Sequence, residues 1–176
     1  MDGQVLRHVM RHVPSPVTVV TAAGAGERRG ITIGSFTSVS LEPPLISLNV
    51  AREAQMHPVL AAASHFAVHV LREDQAHLAR RFSLPDLTSA DQFEGVAFRP
   101  GPGGVPLLTE ALAVLVCVPY ARHEAGDHTI VVGEVVGVEQ ARGVPLLYYN
   151  RAYRRVGEEV AVRVFAPVNR ASSETP

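Results

Sequence analysis

A mainly β protein, with its strands closing into a barrel, is the fold class this sequence predicts. Three observations point there. Six or more short apolar, β-branched segments recur at close spacing, with glycine- and proline-rich turns between them. Helical periodicity is confined to a few short stretches, so a doubly wound sheet is excluded. With 176 residues, 47% of them hydrophobic, the chain suffices for one domain with a real core and not for two.

The elements follow in order. Residues 4–13, QVLRHVMRHV, set Val5, Leu6, Val9, Met10 and Val13 on one helical stripe, which Pro14 and Pro16 end. PVTVVTAA, 16–23, is a strand, and GAGERRG, 24–30, is a charged glycine-rich turn, making 16–41 a hairpin. PPLISLNV, 43–50, is a third strand. A short helix over 54–64 takes Pro58 in its first turn. HFAVHVL, 65–71, alternates as a strand does. EDQAHLARRF, 73–82, is helical, with acids at its start and arginines at its end, as the helix dipole favours. Residues 83–106 are loop-rich. Two long strands, 111–125 and 128–140, are joined through Ala125-Gly126-Asp127, and LLYYN, 146–150, is the last strand. A single domain over 1–157 is expected, followed by a polar C-terminal extension, 158–176, with a frayed end.

Composition removes several functions. A formal net charge of −1 gives no basic stripe for nucleic acid or an anionic membrane surface. No apolar run approaches the roughly 20 residues of a membrane span. The start, MDGQVLRHVM, lacks the apolar block and cleavage site of a signal peptide, so a cytoplasmic protein is expected. The one cysteine, Cys117, lies in the apolar run ALAVLVCV and reads as a buried inert thiol. No lysine occurs: all 16 basic residues are arginine. A Walker-type phosphate lysine and a Schiff-base lysine are thereby excluded, and a bound phosphate must be met by hydroxyls, backbone amides or arginine.

Four groups of residues invite a functional reading, each beside a plainer one. GITIGSFTSVSLEPPLISLNV, 30–50, carries Thr32, Ser35, Thr37, Ser38 and Ser40 within nine positions. Strand alternation puts Thr32, Gly34, Phe36, Ser38 and Ser40 on one face. Gly34 allows a bulge or a close approach to the backbone. Such a strand suits a polar planar ligand, or is simply a hydroxyl-bearing edge strand. His128, in AGDHTI, sits at the mouth of a strand, facing a ligand or solvent. His8 and His12 stand four apart on one helical face but lack further ligands, so no metal is expected. The pairs Arg80-Arg81 and Arg154-Arg155 are solvated faces or phosphate partners. No nucleophile elbow, HExxH or GxGxxG is present, so a hydrolase or a Rossmann fold has no support.

The ordered set GITIGSFTSVSLEPPLISLNV, HFAVHVL with LARRF, DQFEGV, AGDHTIVVGEV and YYNRAYRRVG resembles the flavin reductase family, from about residue 5 to 157. These are the small reductase components that supply reduced flavin to two-component monooxygenases. The resemblance implies a split β-barrel of Greek-key type that binds FMN (or FAD), usually as a homodimer, with NADH or NADPH as co-substrate. It implies that Thr32, Ser35, Phe36, Ser38 and Val39 contact the ring and ribityl chain. Ser47, Asn49 and Val50 would continue along the next strand. The turn Ala51 to Met56 would meet the phosphate, and Phe82 and Ser83 would close over the cofactor. His128 would stand where nicotinamide stacks, with Tyr153 near the same pocket. One departure stands out. The phosphate turn of many relatives carries Ser or Thr, whereas AREAQMHP has no hydroxyl. Arg52 is left as its phosphate ligand, with Glu53 beside it. The implied activity is hydride transfer from NAD(P)H to flavin. The alternatives are a split-barrel flavoprotein that retains FMN and acts on another small molecule, and a non-catalytic flavin-binding module.

Overall fold

A computed structural model describes residues 1–160 of the chain. The N-terminal helix α1 (Gly3–Met10) is capped by Asp2, whose carboxylate accepts from the Gln4 amide at 2.9 Å. After β1 (Ser15–Pro16), β2 (Thr18–Gly24) turns back as β3 (Glu27–Ile33). The turn is only Ala25-Gly26, with both residues at positive φ (53° and 83°), the conformation of a two-residue type I′ hairpin. The charged segment expected to be turn down to residue 30 is therefore strand from Glu27 onward. The tight turn is met by two small residues, which leaves Arg28 and Arg29 free to pair with β2.

The chain next breaks at Gly34-Ser35-Phe36 before β4 (Thr37–Leu41) and β5 (Pro44–Ala51). The single 30–41 strand, with its strict two-face alternation, is thus interrupted. A bulge at Val39 shifts the register again, since Ser38 pairs with Ile46 and Ser40 with Leu45. Helix α2 (Met56–Ala62) holds Pro58 in its first turn as expected, and β6 (Phe66–Val70) follows. Helix α3 (Ala76–Arg81) is shorter than the 73–82 reading, with Arg80 and Arg81 in its last turn. The loop-rich region holds α4 (Ser89–Phe93), capped by the Thr88 hydroxyl, and the hairpin β7 (Phe98–Pro100) with β8 (Pro106–Leu108). The long strands are β9 (Ala113–Ala125) and β10 (His128–Gln140). Gly126, at φ 63°, takes the first central position of their two-residue turn. Strands β11 (Leu147–Tyr149) and β12 (Ala152–Arg154) complete the described chain, β12 being unforeseen. The expected extension lies outside the described residues from 161 onward.

The main sheet runs β3-β2-β6-β9-β10-β5-β4, all neighbours antiparallel. Its two edge strands, β3 and β4, are consecutive in the chain and only three residues apart. The sheet must therefore curl until its edges meet. No ladder joins β3 to β4 or β5 among the described residues, so the barrel is split along that seam. Inside it, Val20, Leu48, Val50, Phe66, Val68 and Val131 form the core, with Met56, Val59 and Leu60 of α2 packed onto it. A second core on the outer face joins Val17, Val19 and Leu71 to Ala79, Phe82 and Phe93. Close packing explains Gly133 of β10, where an added Cβ would stand 2.3 Å from the Phe66 ring. Cys117 is buried, and burial pushes its thiol up to about 12, as an inert core thiol requires.

His69 is a core residue, not a ligand. Its Nδ1 donates to Val19 O at 2.9 Å and its Nε2 accepts from the Leu108 amide at 3.0 Å. Burial lowers its pKa from 6.5 to about 4, so the folded state holds it neutral. The unfolded chain binds that proton below pH 6.5, so stability falls as pH drops from about 6.5 to about 4. The loss from this residue is about 3 kcal/mol. Urea unfolding across that range is expected to show the slope. His69→Gln is expected to lower stability at pH 7 and flatten it.

Candidate active site

The seam is where the polar groups gather. Along the outer edge of β3, backbone groups find partners outside any strand. The Gly30 amide donates to Gln92 Oε1 at 3.1 Å, and the Thr32 amide to Phe82 O at 3.1 Å. The Thr32 hydroxyl donates to Ala79 O at 2.7 Å. Helices α3 and α4, with the loop between them, thus cover one stretch of an edge that would otherwise be unpaired. Further along, Ser35 Oγ accepts from the Asn49 amide at 2.9 Å. That contact continues the β4–β5 ladder, whose last pair is Thr37↔Ser47, with a side chain in place of a main-chain group.

Three clefts open on this seam and share its residues. The middle one, about 660 Å³, runs along Ile31 to Ser35 and faces Asn49 and Ala51 of β5 and His128 and Ile130 of β10. Leu6 and Met10 of α1 form its rim. A second, about 400 Å³, continues past Ile31 to Arg29 and Gly30, bounded by Glu53 to Met56 and by Phe82 to Asp86. The third lies between Thr32–Gly34, Ser83, Ser15–Val17, Tyr148 and Tyr153.

Of the residues expected at a site, Thr32, Ser35, Asn49, His128, Phe82, Ser83 and Tyr153 line these clefts. Phe36, Ser38, Val39, Ser47, Val50 and Arg52 do not. Val50 is core, and Phe36 packs against the core. Ser38 and Val39 stand exposed on the edge strand β4. Arg52 is exposed and paired with Glu124 of the β9–β10 hairpin at 3.7 Å. Phe82 is buried, edge-on to Phe93 at 5.3 Å, so it is a wall of the cleft, not a mobile cover. Gly34 makes a close approach, but to this chain's own β1. An added Cβ there would meet Ser15 Oγ at 2.9 Å.

His128 is oriented by its neighbour, its Nδ1 lying 2.7 Å from Asp127 Oδ1. The hydrogen bond to His128 holds the Asp127 carboxyl below its usual range. Tyr153 stacks edge-on with Tyr148 at 5.4 Å, and burial raises its phenol. Among the described residues, no group of three His, Cys, Asp or Glu side chains could hold a metal. Among the described residues, no helix is long and apolar enough to cross a membrane.

Sequence reasoning missed Arg29. It is 9% exposed, its guanidinium NH1 donates to Leu87 O at 2.8 Å, and its Nε is buried without a hydrogen-bond partner. Reading 24–30 as a turn hid it. The absence of lysine was the signal that could have directed attention to a strand arginine.

The family model for the flavin reductase like domain matches residues 10–157. The chain belongs to this family. It is 43% identical over 154 residues to an actinorhodin polyketide dimerase of Streptomyces coelicolor, covering 86% of this chain and 85% of that one. It is 40% identical to the reductase component of a 4-hydroxyphenylacetate 3-monooxygenase of Thermus thermophilus, covering 87% and 96%. A solved NADH:FAD oxidoreductase of Streptomyces globisporus, in complex with NAD and FAD fragments, superposes with TM-score 0.81 at 41% identity, covering 91% of this chain and 96% of that one. The donor set of the seam fits a flavin. Thr32, Ser35, Asn49 and His128 bring polar side chains to the middle cleft, and a buried arginine nitrogen without a hydrogen bond stands in the next.

The geometry gives Thr32 a structural duty. Thr32→Val is expected to cost about 1–2 kcal/mol, through the bond to α3. Chemical denaturation checks this.

Proposed function

We propose that the protein is an NAD(P)H-dependent flavin reductase that passes hydride from nicotinamide to FMN or FAD and supplies reduced flavin to a partner monooxygenase. The observation that carries this reading is the continuous seam groove. One polar cleft is lined by Thr32, Ser35, Asn49 and His128, in a chain of the flavin reductase family. The nicotinamide and flavin chemistry comes from the Streptomyces globisporus neighbour, and the partner class from the Thermus thermophilus relative.

The flavin, when bound, supplies the hydride-accepting ring. The chain's own residues bind and orient. Ser35 and Asn49 present polar groups at the groove wall, and the Asp127-His128 pair stands beside Asn49, where β10 pairs with β5, as a fixed hydrogen-bonding group. Tyr153 and Ser83 border the adjoining cleft. Ser38, Val39, Ser47 and Val50 act through the backbone or shape of β4 and β5, Phe36 through the link before β4, Phe82 as a wall, and Arg52 as an anchor of the turn through Glu124. No side chain here needs to serve as a strong acid or base. Holding two planar rings at contact distance, with water excluded, accounts for the rate.

The reading extends to assembly and setting. Helix α1 leaves Val5, Leu6, Val9, Met10 and Val13 about half exposed, and Leu6 and Met10 also rim the groove. A second copy of the chain covers that stripe, making a homodimer with residues 1–157 as the catalytic unit of each protomer. The work is done in the cytoplasm, where nicotinamide nucleotides are available and a lone thiol stays reduced.

Spectrophotometric assay of NADH and NADPH oxidation is expected to require added FMN or FAD. A yellow protein that reduces its own flavin once, without turning over free flavin, overturns the dissociable-substrate reading. His128→Ala is expected to lower kcat by about tenfold or more through lost positioning, with flavin affinity retained. Light scattering is expected to give twice the protomer mass.

A further inference from the structure

We propose that Arg29 of β3 is the phosphate anchor of the flavin groove, taking the duty that the hydroxyl-free turn after β5 leaves unfilled. The inference rests on the flavin reading of the seam. Four observations carry it. Among the described residues, Arg29 is the one cationic side chain lining the cleft of about 400 Å³ that continues from the middle cleft through Ile31 and Ala51. It is nine-tenths buried, and its Nε has no hydrogen-bond partner. That nitrogen has the Glu27 carboxylate 3.5 Å away as an ion-pair partner but makes no hydrogen bond, and an anionic oxygen in the cleft supplies one. The backbone geometry agrees. Arg29 shares its face of β3 with Ile31, two residues on, and Ile31 lines both this cleft and the middle one. Finally, Arg52, the arginine in the turn itself, is engaged with Glu124 and lines none of these clefts.

The electrostatics set the size of the effect. Glu27 Oε2 lies 3.5 Å from Arg29 Nε, and Glu53 and Asp86 stand exposed at the cleft border. These exposed carboxylates are screened by solvent, whereas Arg29 acts from a dry floor. The anchor is therefore positive where the phosphate seats, and the border disfavours a second negative group. That pattern suits a flavin that binds and leaves, not one held permanently.

The test compares flavins that differ only in phosphate. Binding of FMN and riboflavin is measured by flavin fluorescence, and KM values for FMN, FAD and NADH by turnover. In the unsubstituted protein FMN is expected to bind more tightly than riboflavin. Arg29→Gln is expected to weaken FMN about 10- to 100-fold and riboflavin hardly at all. Glu27→Gln removes the competing carboxylate and is expected to tighten FMN a few-fold, with riboflavin unchanged. It decides the matter if Arg29→Gln does not fold. Equal responses of FMN and riboflavin to these changes overturn the assignment. So does a change in the KM of NADH without one in FMN affinity, which would place the nicotinamide pyrophosphate on Arg29. Failure of the unsubstituted protein to bind either flavin overturns the flavin reading itself, and is told apart by occurring before any substitution.

Discussion

The three residues Gly34-Ser35-Phe36 constrain everything else. They join the two edge strands of a seven-stranded sheet, so the sheet has to close on itself. Three linking residues make four steps from Ile33 to Thr37, at most about 14 Å, and β3 and β4 cannot drift further apart than that where they meet. Yet the link is bent, and it does not let β3 and β5 form a regular ladder. The result is a barrel with an unladdered seam. An open strand edge in a folded protein has to be covered, paired or charged. Here one stretch is covered by α3, α4 and the loop between them. Another is stitched by a serine side chain, and the remainder stays open as the groove. The site is thus the part of the seam that the protein does not close for itself.

Arginine usage follows the same logic. With no lysine, every fixed positive side chain is a guanidinium, and several of those described are occupied by other tasks. Arg122 donates to the Leu60 and Ala61 carbonyls at the end of α2, and Arg81 to carbonyls of α4 and the residue after it. Arg72 pairs with Asp74, Arg155 with Glu73, and Arg99 with Glu139. These exposed pairs contribute little each, of order 0–1 kcal/mol. Arg29 differs in being buried at a cleft wall, where water cannot screen it.

Much of this was legible in the residues. The two long strands, the positions of β5 and β6, the dipole-matched end of α3 and the mainly β class all follow from alternation, turn chemistry and charge placement. What was lost followed from one assumption, that a run of β-branched and hydroxyl residues is one strand. Periodicity reports which residues alternate, not where a chain leaves one sheet edge for another, so Gly34–Phe36 was invisible as a break. The same assumption put Ser38 on one strand face with Thr32, although the break at Gly34–Phe36 interrupts that alternation. Short elements failed for a different reason. Helix α4 and the β7–β8 hairpin are held by contacts distant in sequence, such as Ser89 Oγ to Arg28 O, which local pattern does not encode.

The hydroxyls of the 30–50 segment therefore divide by duty. Thr32 and Ser35 satisfy main-chain groups that a regular ladder would otherwise pair, since their side chains reach carbonyls and amides of α3 and β5. They also face the groove. A hydroxyl has one proton and two lone pairs, so Ser35, whose oxygen accepts from the Asn49 amide and donates to the Asn49 carbonyl at 3.4 Å, retains one lone pair for a further donor. Binding and barrel closure thus draw on the same atoms. A polar ligand seated in the seam adds hydrogen bonds across a gap the sheet leaves open, and so couples β3 to β5 directly. In a split barrel of this kind the place most in need of bridging is also the place best supplied with donors and acceptors. A planar ligand with hydrogen-bonding edges meets that need without any dedicated catalytic side chain.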